Sequence, residues 1–452
     1  MAETSPASAP TLVRALGVPA MSANVMNNIV GVGIFALPGA VAAVLGPAAL
    51  VAYVVCALAV GLVALCFAEL GSRVSASGGI YAYIEAAFGP FAGFLAGVLF
   101  WIGAQAVSSA AVAVILVGFL AQLLPPLGAP LPRALVLVAL YATLALLNMR
   151  GVRVGARAVI IITVAKLTPL ALLVVAGVLA SAPANLTWHG MPSLGDVGRA
   201  SLLLIFAFTG TESAVTASGE VRSPSRTMPR AIFLGMLGVL VLYMSVHISA
   251  QGVLGAALAH ETAAPLLAVA QRVFGPAGAT LVLVGGAVSA LGWITSDMLG
   301  TPRLIHAFAS DGLFPRRLAA VHARFRTPAA AIAFHGLICL ALALTGSFRM
   351  LVVLSVIAVL PIYLACCLAV LRLRRLHVAS DGAPFVIPGG PIVPLLACAV
   401  VAWLLSGATW AEAGAVAALL TAAAAVYGLR AWRRRRVGTS EVAREAEALA
   451  AD

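Results

Sequence analysis

Long apolar runs, separated by proline, glycine and arginine, dominate the hydrophobic pattern of this chain. A helix needs about 20 mostly apolar residues to cross a membrane. A short run at 265–274 is an additional helix candidate. The pattern predicts an all-α integral membrane protein with 12 transmembrane helices, because twelve runs meet or approach the required length, at approximately 13–44, 47–70, 88–123, 132–149, 156–181, 198–220, 229–253, 276–303, 328–345, 349–371, 392–407 and 411–432.

The stretches between these runs are too short for a separate soluble domain. We therefore expect one twelve-helix bundle over residues 12–432. Residues 1–11, rich in alanine, serine and proline, are expected to form a disordered cytoplasmic tail, and residues 433–452 a second cytoplasmic tail. No basic residue precedes Arg14, so the first apolar run is interpreted as a membrane span and not as a cleaved signal peptide.

Composition agrees with this interpretation and excludes several classes of protein. The chain is 62% hydrophobic and 9% charged, with a mean hydropathy of +1.09, whereas a soluble domain is about 25% charged. A soluble enzyme, a nucleic-acid binder and a disordered scaffold are therefore excluded. The six cysteines lie in apolar runs without metal-ligand spacing, so we expect packing roles and no metal site. No catalytic cluster or phosphate-binding loop indicates an enzyme.

The arginines predict the orientation of the bundle, because positive residues concentrate on the cytoplasmic side. With the N-terminus inside, 22 arginines fall in cytoplasmic segments and four, Arg133, Arg199, Arg272 and Arg349, fall outside. Both termini are therefore expected in the cytoplasm of a multi-pass cell-membrane protein. This placement also explains the pI of about 10.2 without a nucleic-acid partner.

Two of the predicted spans contain residues that a continuous membrane helix would avoid. The first carries NNIVGVGIF at 27–35, and the sixth carries FAFTGTES at 206–213. Interrupted helices at corresponding positions of two halves are typical of a transporter's binding site. The N–H groups and carbonyls freed by such breaks suit the carboxylate and ammonium of a zwitterion. Close helix packing on the small residues is the alternative explanation for a glycine pair alone.

Several motifs resemble the amino acid–polyamine–organocation transporter superfamily along nearly the whole chain. The resemblance implies a 5+5 inverted-repeat fold with broken helices 1 and 6. The first repeat would cover 12–181, the second 198–371, and helices 11 and 12 would lie within 392–432. The motifs are GVGIFALP at 31–38, ELG at 69–71, SGGIYAY at 77–83, FTGTE at 208–212, EVRSPSR at 220–226 with Pro229, and DGLFP at 311–315.

The same resemblance implies how a substrate would bind. Its carboxylate would meet the amides of Val32 and Gly33, next to Gly31, and its ammonium the carbonyls of three residues. An aromatic residue at position 206 would close over the substrate. Val32 stands where many relatives have serine, which leaves the substrate's identity open. The three carbonyl residues are Ile29, Phe206 and Thr209.

Three ionisable residues in the spans are candidates for proton coupling. Lys166 lies roughly 15 Å into the fifth span, too deep for its side chain to reach an interface. It resembles a helix 5 lysine that replaces a sodium ion in some proton-coupled relatives, which predicts sodium-independent transport. Glu212 either stabilises the start of a half-helix or senses protons. Asp297 is expected to pair with Lys166 or with Arg303.

These features lead to one functional hypothesis and two alternatives. We expect a secondary active amino acid transporter, proton-coupled and sodium-independent, in which Gln105 and Trp293 also contact the substrate. The partners would be an amino acid or amine and membrane lipid, with no cofactor beyond the coupling proton, in a monomer or homodimer. The alternatives are an obligate amino acid or amine exchanger and, from a different class, a non-transporting sensor or channel on the same scaffold.

Overall fold

The computed structural model describes residues 17–74, 79–150, 156–188, 190–214, 224–261, 264–322, 324–325, 327–379 and 383–449. Side chains are described for all of these except residues 20, 156–165, 213–214, 224–225 and 431–449. The predicted tail at 1–11 and the motif residues 77, 78 and 220–223 lie outside the described residues. Within the described ranges the regular secondary structure is helical, with no β-strand.

The described residues up to Leu179 form eight α-helices. A π-helical segment, Leu99–Ala106, joins the fifth helix to the sixth without interruption. The helices are α1 (Val18–Ile29), α2 (Gly33–Leu45), α3 (Ala49–Arg73), α4 (Ile80–Phe88), α5 (Pro90–Val98), α6 (Val107–Leu123), α7 (Pro130–Met149) and α8 (Ala156–Leu179).

The second part forms eight more α-helices in the described residues. A 3-10 helix, Gly255–His260, follows α11 and packs against α2. The helices are α9 (Leu194–Phe208), α10 (Thr211–Ala214), α11 (Pro224–Leu254), α12 (Pro265–Ser310), α13 (Ala329–Thr345), α14 (Phe348–Arg375), α15 (Ile392–Leu405) and α16 (Trp410–Leu449).

The length and hydropathy of these helices make the chain a multi-pass membrane protein. Three shorter apolar helical segments, Lys166–Leu179, Ala329–Thr345 and Ile392–Leu405, accompany the long ones. Seven helical segments in the described residues are long and apolar enough to cross a membrane: Gly33–Arg73, Pro90–Leu123, Pro130–Met149, Arg226–His260, Pro265–Ser310, Phe348–Arg375 and Trp410–Arg430.

The boundaries of several helices differ from the predicted runs, and α12 and α16 extend furthest beyond them. The 265–274 candidate is helical and is set off from the rest of α12 by Gly275, whose φ is 69°. Helix α12 then continues to Ser310, beyond the predicted end at 303. Helix α16 extends to Leu449, through most of the expected tail. Alanine, glutamate and arginine are strong helix formers, which explains this extension without an apolar sequence.

Small residues allow the helices to approach closely, as is typical of membrane bundles. A Cβ on Gly177 of α8 would overlap Ser249 of α11, and one on Gly285 of α12 would overlap Pro169 of α8. Helix α11 also packs along α1 and α3, while α12 packs on α6 and α8. The shorter helices α1, α2, α9 and α10 each pack against at least one longer helix.

A buried carboxylate joins the ends of α3 and α14. Both oxygens of Glu69, which is fully buried, accept hydrogen bonds from Arg374, at 2.8 and 2.6 Å. Arg73 donates to Glu69 Oε1 at 2.8 Å, and the amide of Ile387 donates to Oε2 at 2.9 Å. Arg374 also binds the carbonyl of Gly390 at 2.7 Å. One carboxylate thus holds the segment between α14 and α15 against α3. We call this end of the bundle, around Arg73 and Arg374, the arginine-rich end.

We expect Glu69→Gln to lower the free energy of unfolding by about 3 kcal/mol, because it leaves two arginines without their shared anion. The measurement is the thermal unfolding temperature of the purified protein in detergent. Arg375→Gln is the matched control, since Arg375 is exposed beside Arg374. A stability of Glu69→Gln equal to that of the control would contradict the structural role of this carboxylate.

Candidate functional site

The two breaks predicted from sequence lie directly against each other. Gly33 opens α2 after the first break, and a Cβ on it would lie 3.1 Å from the Cα of Ala207 in α9. Gly210 lies in the second break with a φ of 124°, and a Cβ there would overlap the carbonyl of Asn28. The close approach and the positive φ require glycine at position 210. Packing on small residues and a break in the helix therefore occur together.

The N-terminal end of α2 presents unpaired backbone donors. The first N–H groups of a helix have no partner within that helix. No side chain caps α2, and the amides of Val32 and Gly33 form no hydrogen bond with the described part of the chain. Val32 is buried, with 1% of its surface exposed. These donors and the positive end of the helix dipole make this position suitable for a carboxylate.

The C-terminal end of α1 is occupied by the one lysine of the chain. Lys166 Nζ, on α8, donates to the carbonyl of Asn27 at 2.7 Å and to that of Val30 at 2.8 Å. The side chain is buried, with 6% exposed. A cation is favourable at the negative end of a helix, and two carbonyls that have left the helical pattern gain a partner. Lys166 therefore binds the first break directly.

A tyrosine that the sequence reasoning missed bridges both breaks. The hydroxyl of Tyr243, on α11, lies 3.1 Å from the carbonyl of Ile29 and 2.9 Å from that of Ala207. One hydroxyl proton is shared between the two carbonyls. Ile29 O also accepts from the amide of Gly31 at 2.7 Å. The predicted contact between Ile29 and an ammonium stays a prediction, and it requires one of these partners to be displaced.

A small cavity brings together several residues predicted to form the site. It is lined by Gln105 of the π-helical segment, Thr209 and Glu212 at the second break, and Trp293 of α12. Its volume of about 20 Å³ has room for one water molecule. An amino acid is larger, so binding requires the surrounding helices to move. Gly31 lies near the same tryptophan, because a Cβ on it would be 3.7 Å from Trp293 Cδ1.

Glu212 is held in place at the second break. Its Oε2 accepts from the amide of Gly210 at 3.0 Å and from the hydroxyl of Tyr363, on α14, at 2.8 Å. The side chain is 3% exposed. The contact with Gly210 supports the structural alternative, a carboxylate that binds free N–H groups at the start of a half-helix. The contact with Tyr363 joins this break to α14.

Phe206 contacts a residue that lines a much larger cavity. Its ring packs edge-on against Phe348 at 6.3 Å, and its carbonyl accepts from the hydroxyl of Thr209 at 2.8 Å. Phe348 lines a cavity of about 690 Å³ between α2, α6, α9 and the start of α14. This cavity lies away from the arginine-rich end, because α14 begins there and ends beside Glu69. Phe206 also lies next to the first break, because a Cβ on Gly33 would be 3.3 Å from its Cδ1.

The predicted partners of Asp297 are wrong. Neither Lys166 nor Arg303 binds it, because Lys166 is bound to α1 and Arg303 donates to the carbonyl of Leu299. Asp297 Oδ2 lies 2.9 Å from Nε2 of His335, on α13, and Oδ1 accepts from the hydroxyl of Thr301 at 2.6 Å. The side chain of Asp297 faces α13, which the linear sequence does not reveal.

Asp297, His335 and Cys339 provide three donor atoms within 4.8 Å of one another, a set that suits a transition metal. Both imidazole nitrogens are already engaged, one by Asp297 and the other by the indole N–H of Trp101 at 3.2 Å. A metal would have to displace one of these hydrogen bonds. We therefore assign the cluster as a hydrogen-bonded network.

The chain belongs to the amino acid permease family, whose profile matches residues 16–427. This places it in the amino acid–polyamine–organocation superfamily that its motifs resemble. It is a membrane transporter and not an enzyme.

Curated relatives agree with this membership over most of their length. The chain is 34% identical to an uncharacterised transporter of Mycobacterium tuberculosis, over 91% of this chain and 90% of that protein. It is 29% identical to a serine/threonine exchanger of Bacillus subtilis, over 83% of this chain and 86% of that protein. It is 28% identical to a branched-chain amino acid permease of Bacillus subtilis, over 88% and 89% respectively.

We expect Tyr243→Phe to lower the free energy of unfolding by about 1–2 kcal/mol, because the carbonyls of Ile29 and Ala207 lose a shared buried donor. Thermal unfolding in detergent measures the change. Tyr427→Phe is the control, since Tyr427 lies on α16, away from the breaks. If both variants unfold at the wild-type temperature, the hydroxyl of Tyr243 does not hold the breaks together.

Proposed function

We propose that this protein is a secondary active transporter of neutral amino acids, coupled to protons and independent of sodium. It would work by alternating access around the breaks in its first and sixth spans. The observation that carries the proposal is the contact between these breaks, with the free amides of Val32 and Gly33 on one side. Amides at a helix N-terminus bind a carboxylate, the group that all amino acids share.

The proposed architecture has twelve spans arranged as two five-helix repeats and two further helices. In this arrangement α1 with α2 and α9 with α10 correspond to each other as the broken first span of each repeat. Both termini would be cytoplasmic, with the arginine-rich end inside. Supporting this orientation, the 22 arginines assigned inside greatly outnumber the four assigned outside.

The two bonds from Lys166 to the first break support proton coupling. As an ammonium, Lys166 neutralises the negative end of α1. When it gives up its proton, the charge that attracts the carbonyls of Asn27 and Val30 is lost, so protonation and the position of α1 become linked. A fixed cation here also leaves no need for a sodium ion, which would require these same carbonyl ligands.

The charges of the large cavity favour neutral substrates over cationic ones. Two of its lining residues, Arg133 and Arg349, are positive, and none of its described lining residues is acidic. Like charges repel, so a large cavity with these arginines disfavours the entry of polyamines and basic amino acids. The rest of the lining is mostly apolar, which suits a neutral side chain.

Obligate exchange remains the second candidate mechanism. One relative is named a serine/threonine exchanger, and it aligns with 83% of this chain. An obligate exchanger changes between its outward-facing and inward-facing states only with substrate bound, so it requires substrate on both sides of the membrane. A proton symporter can make the return change without substrate. A channel or sensor would show neither saturable uptake nor counterflow.

The test is uptake of radiolabelled amino acids into proteoliposomes, with and without a proton gradient and with and without internal substrate. We expect saturable uptake of neutral amino acids that a proton gradient stimulates and sodium does not. Uptake that needs internal substrate would support exchange instead. No saturable uptake or exchange of any amino acid or polyamine would contradict the proposed function.

We expect Lys166→Ala to abolish the stimulation of uptake by a proton gradient, because the cation at the end of α1 is removed. Counterflow with equal pH on both sides, together with thermal unfolding, reports whether the protein still folds and exchanges substrate. Arg303→Ala is the control, as it removes a base from an exposed position of α12. A gradient response in Lys166→Ala equal to that of the control would contradict the role of Lys166.

A further inference from the structure

A buried polar network joins three helical segments: the π-helical segment, α12 and α13. Trp101 of the π-helical segment donates to Nδ1 of His335 at 3.2 Å. His335 Nε2 lies 2.9 Å from Asp297, and Asp297 accepts from Thr301 at 2.6 Å. The side chains of this network are buried from solvent: His335 is 0% exposed and Asp297 is 4% exposed. The sequence makes Asp297 a candidate for proton coupling, and this network determines how Asp297 could bind a proton.

The indole of Trp101 determines where protons can lie in this network. Indole nitrogen is only a donor, so Nδ1 of His335 must be the acceptor. The single imidazole proton is therefore on Nε2 and points at Asp297. A second proton on Nδ1 would place two N–H groups face to face and break the bond to Trp101. The network in this form has a neutral histidine and an ionised aspartate.

An ionised aspartate without a counter-cation is unfavourable in the membrane interior. One further proton makes the network neutral. Because Nδ1 is blocked by Trp101, that proton is directed to the carboxylate. A protonated Asp297 can donate from Oδ1 to the hydroxyl of Thr301, so its proton also finds an acceptor. Neutralisation at the carboxyl therefore keeps the contact between Trp101 and His335.

Other titratable groups around the pair do not supply a cation. Cys339, on α13, lies 3.6 Å from His335 Nε2 through its sulfur. Tyr141, on α7, interacts with Asp297 and Cys339 and shares a hydrogen bond of 3.2 Å with Ser109 of α6. Both groups are neutral or negative in their two protonation states. A proton is therefore the positive charge available to this network from its described neighbours.

The network is connected to the small cavity through two short segments. Gln105 follows Trp101 by four residues on the π-helical segment, and Trp293 precedes Asp297 by four residues on α12. Both Gln105 and Trp293 line the small cavity. π-Helical segments are rare and are frequently found at functional sites. A change in hydrogen bonding at Trp101 or Asp297 is thus one helical turn from a residue expected to contact the substrate.

We propose that Asp297 is a proton-binding carboxyl, and that the hydrogen bond from Trp101 to His335 directs the proton to Asp297. Its occupancy would set the pH dependence of transport through the segments that carry Gln105 and Trp293. The transport part of this proposal rests on the proposed function. The proton site itself does not, and it is tested first without transport.

Infrared difference spectroscopy of the purified protein between alkaline and acidic pH detects the carbonyl stretch of a newly protonated carboxylic acid. We expect a band in the wild type that is absent in Asp297→Asn and retained in Asp311→Asn, whose carboxyl is exposed. In Trp101→Phe, Nδ1 of His335 is released, so imidazolium bands should replace the Asp297 band.

Three results would overturn the proton site. The first is a wild-type difference spectrum unchanged by Asp297→Asn. The second is an Asp297 band that persists unaltered in Trp101→Phe, since Trp101 would then not direct the proton. The third is a stoichiometric metal in the purified protein that is lost in His335→Gln, which would make the cluster a metal site. Thermal unfolding of each variant confirms that it is folded before its spectrum is interpreted.

Uptake into proteoliposomes then tests the link to transport. In Asp297→Asn, a permanently neutral analogue, we expect uptake to lose its change with pH over the range in which the wild-type band appears. Asp311→Asn should retain the wild-type pH profile. If the infrared band is assigned to Asp297 but the pH profile of uptake is unchanged in Asp297→Asn, Asp297 binds a proton without controlling transport. That result would contradict the link to transport and not the proton site. No uptake by any variant or the wild type would instead contradict the proposed function.

Discussion

An unpaired backbone group in the membrane interior has no water to bind, and this constraint governs the centre of the structure. Both broken helices free such groups. At the first break the protein supplies partners on the carbonyl side, with Lys166 on Asn27 and Val30 and Tyr243 on Ile29. On the amide side of α2 it supplies none from the described residues. The unsatisfied side is therefore the position at which a ligand gains most.

Polar side chains in this bundle divide into two groups by position. Those at the breaks, such as Glu212 and Tyr243, hold the two broken helices against each other and against α11 and α14. Those behind the cavity, around Asp297 and His335, join α12, α13 and the π-helical segment. The small cavity lies between these groups, bordered by Gln105 and Trp293. A movement of either group relative to the other would change the space available to a substrate.

Much of this arrangement could be predicted from sequence, because its signals are local. A glycine pair followed by a proline marks the first break, and a lysine within an apolar run is visible without a structure. The contacts of Tyr243, His335 and Trp101 could not be predicted. Each joins helices distant in sequence, and an aromatic or histidine residue in an apolar helix resembles an ordinary packing residue. The predicted partners of Asp297 are wrong for the same reason, because the sequence does not show which neighbouring helix this face of α12 meets.

The sequence by itself determined the class of protein, its apolar helices, the two breaks and the presence of a lysine within the fifth apolar run. These follow from residue composition and spacing, because the membrane imposes one length and one hydrogen-bonding rule on every span. Only the tertiary structure decided which carbonyls have partners and that Asp297 faces His335. Those outcomes depend on how each helix is rotated and on which helices approach closely. Small residues such as Gly210 permit a close approach, but they do not by themselves determine which helices meet.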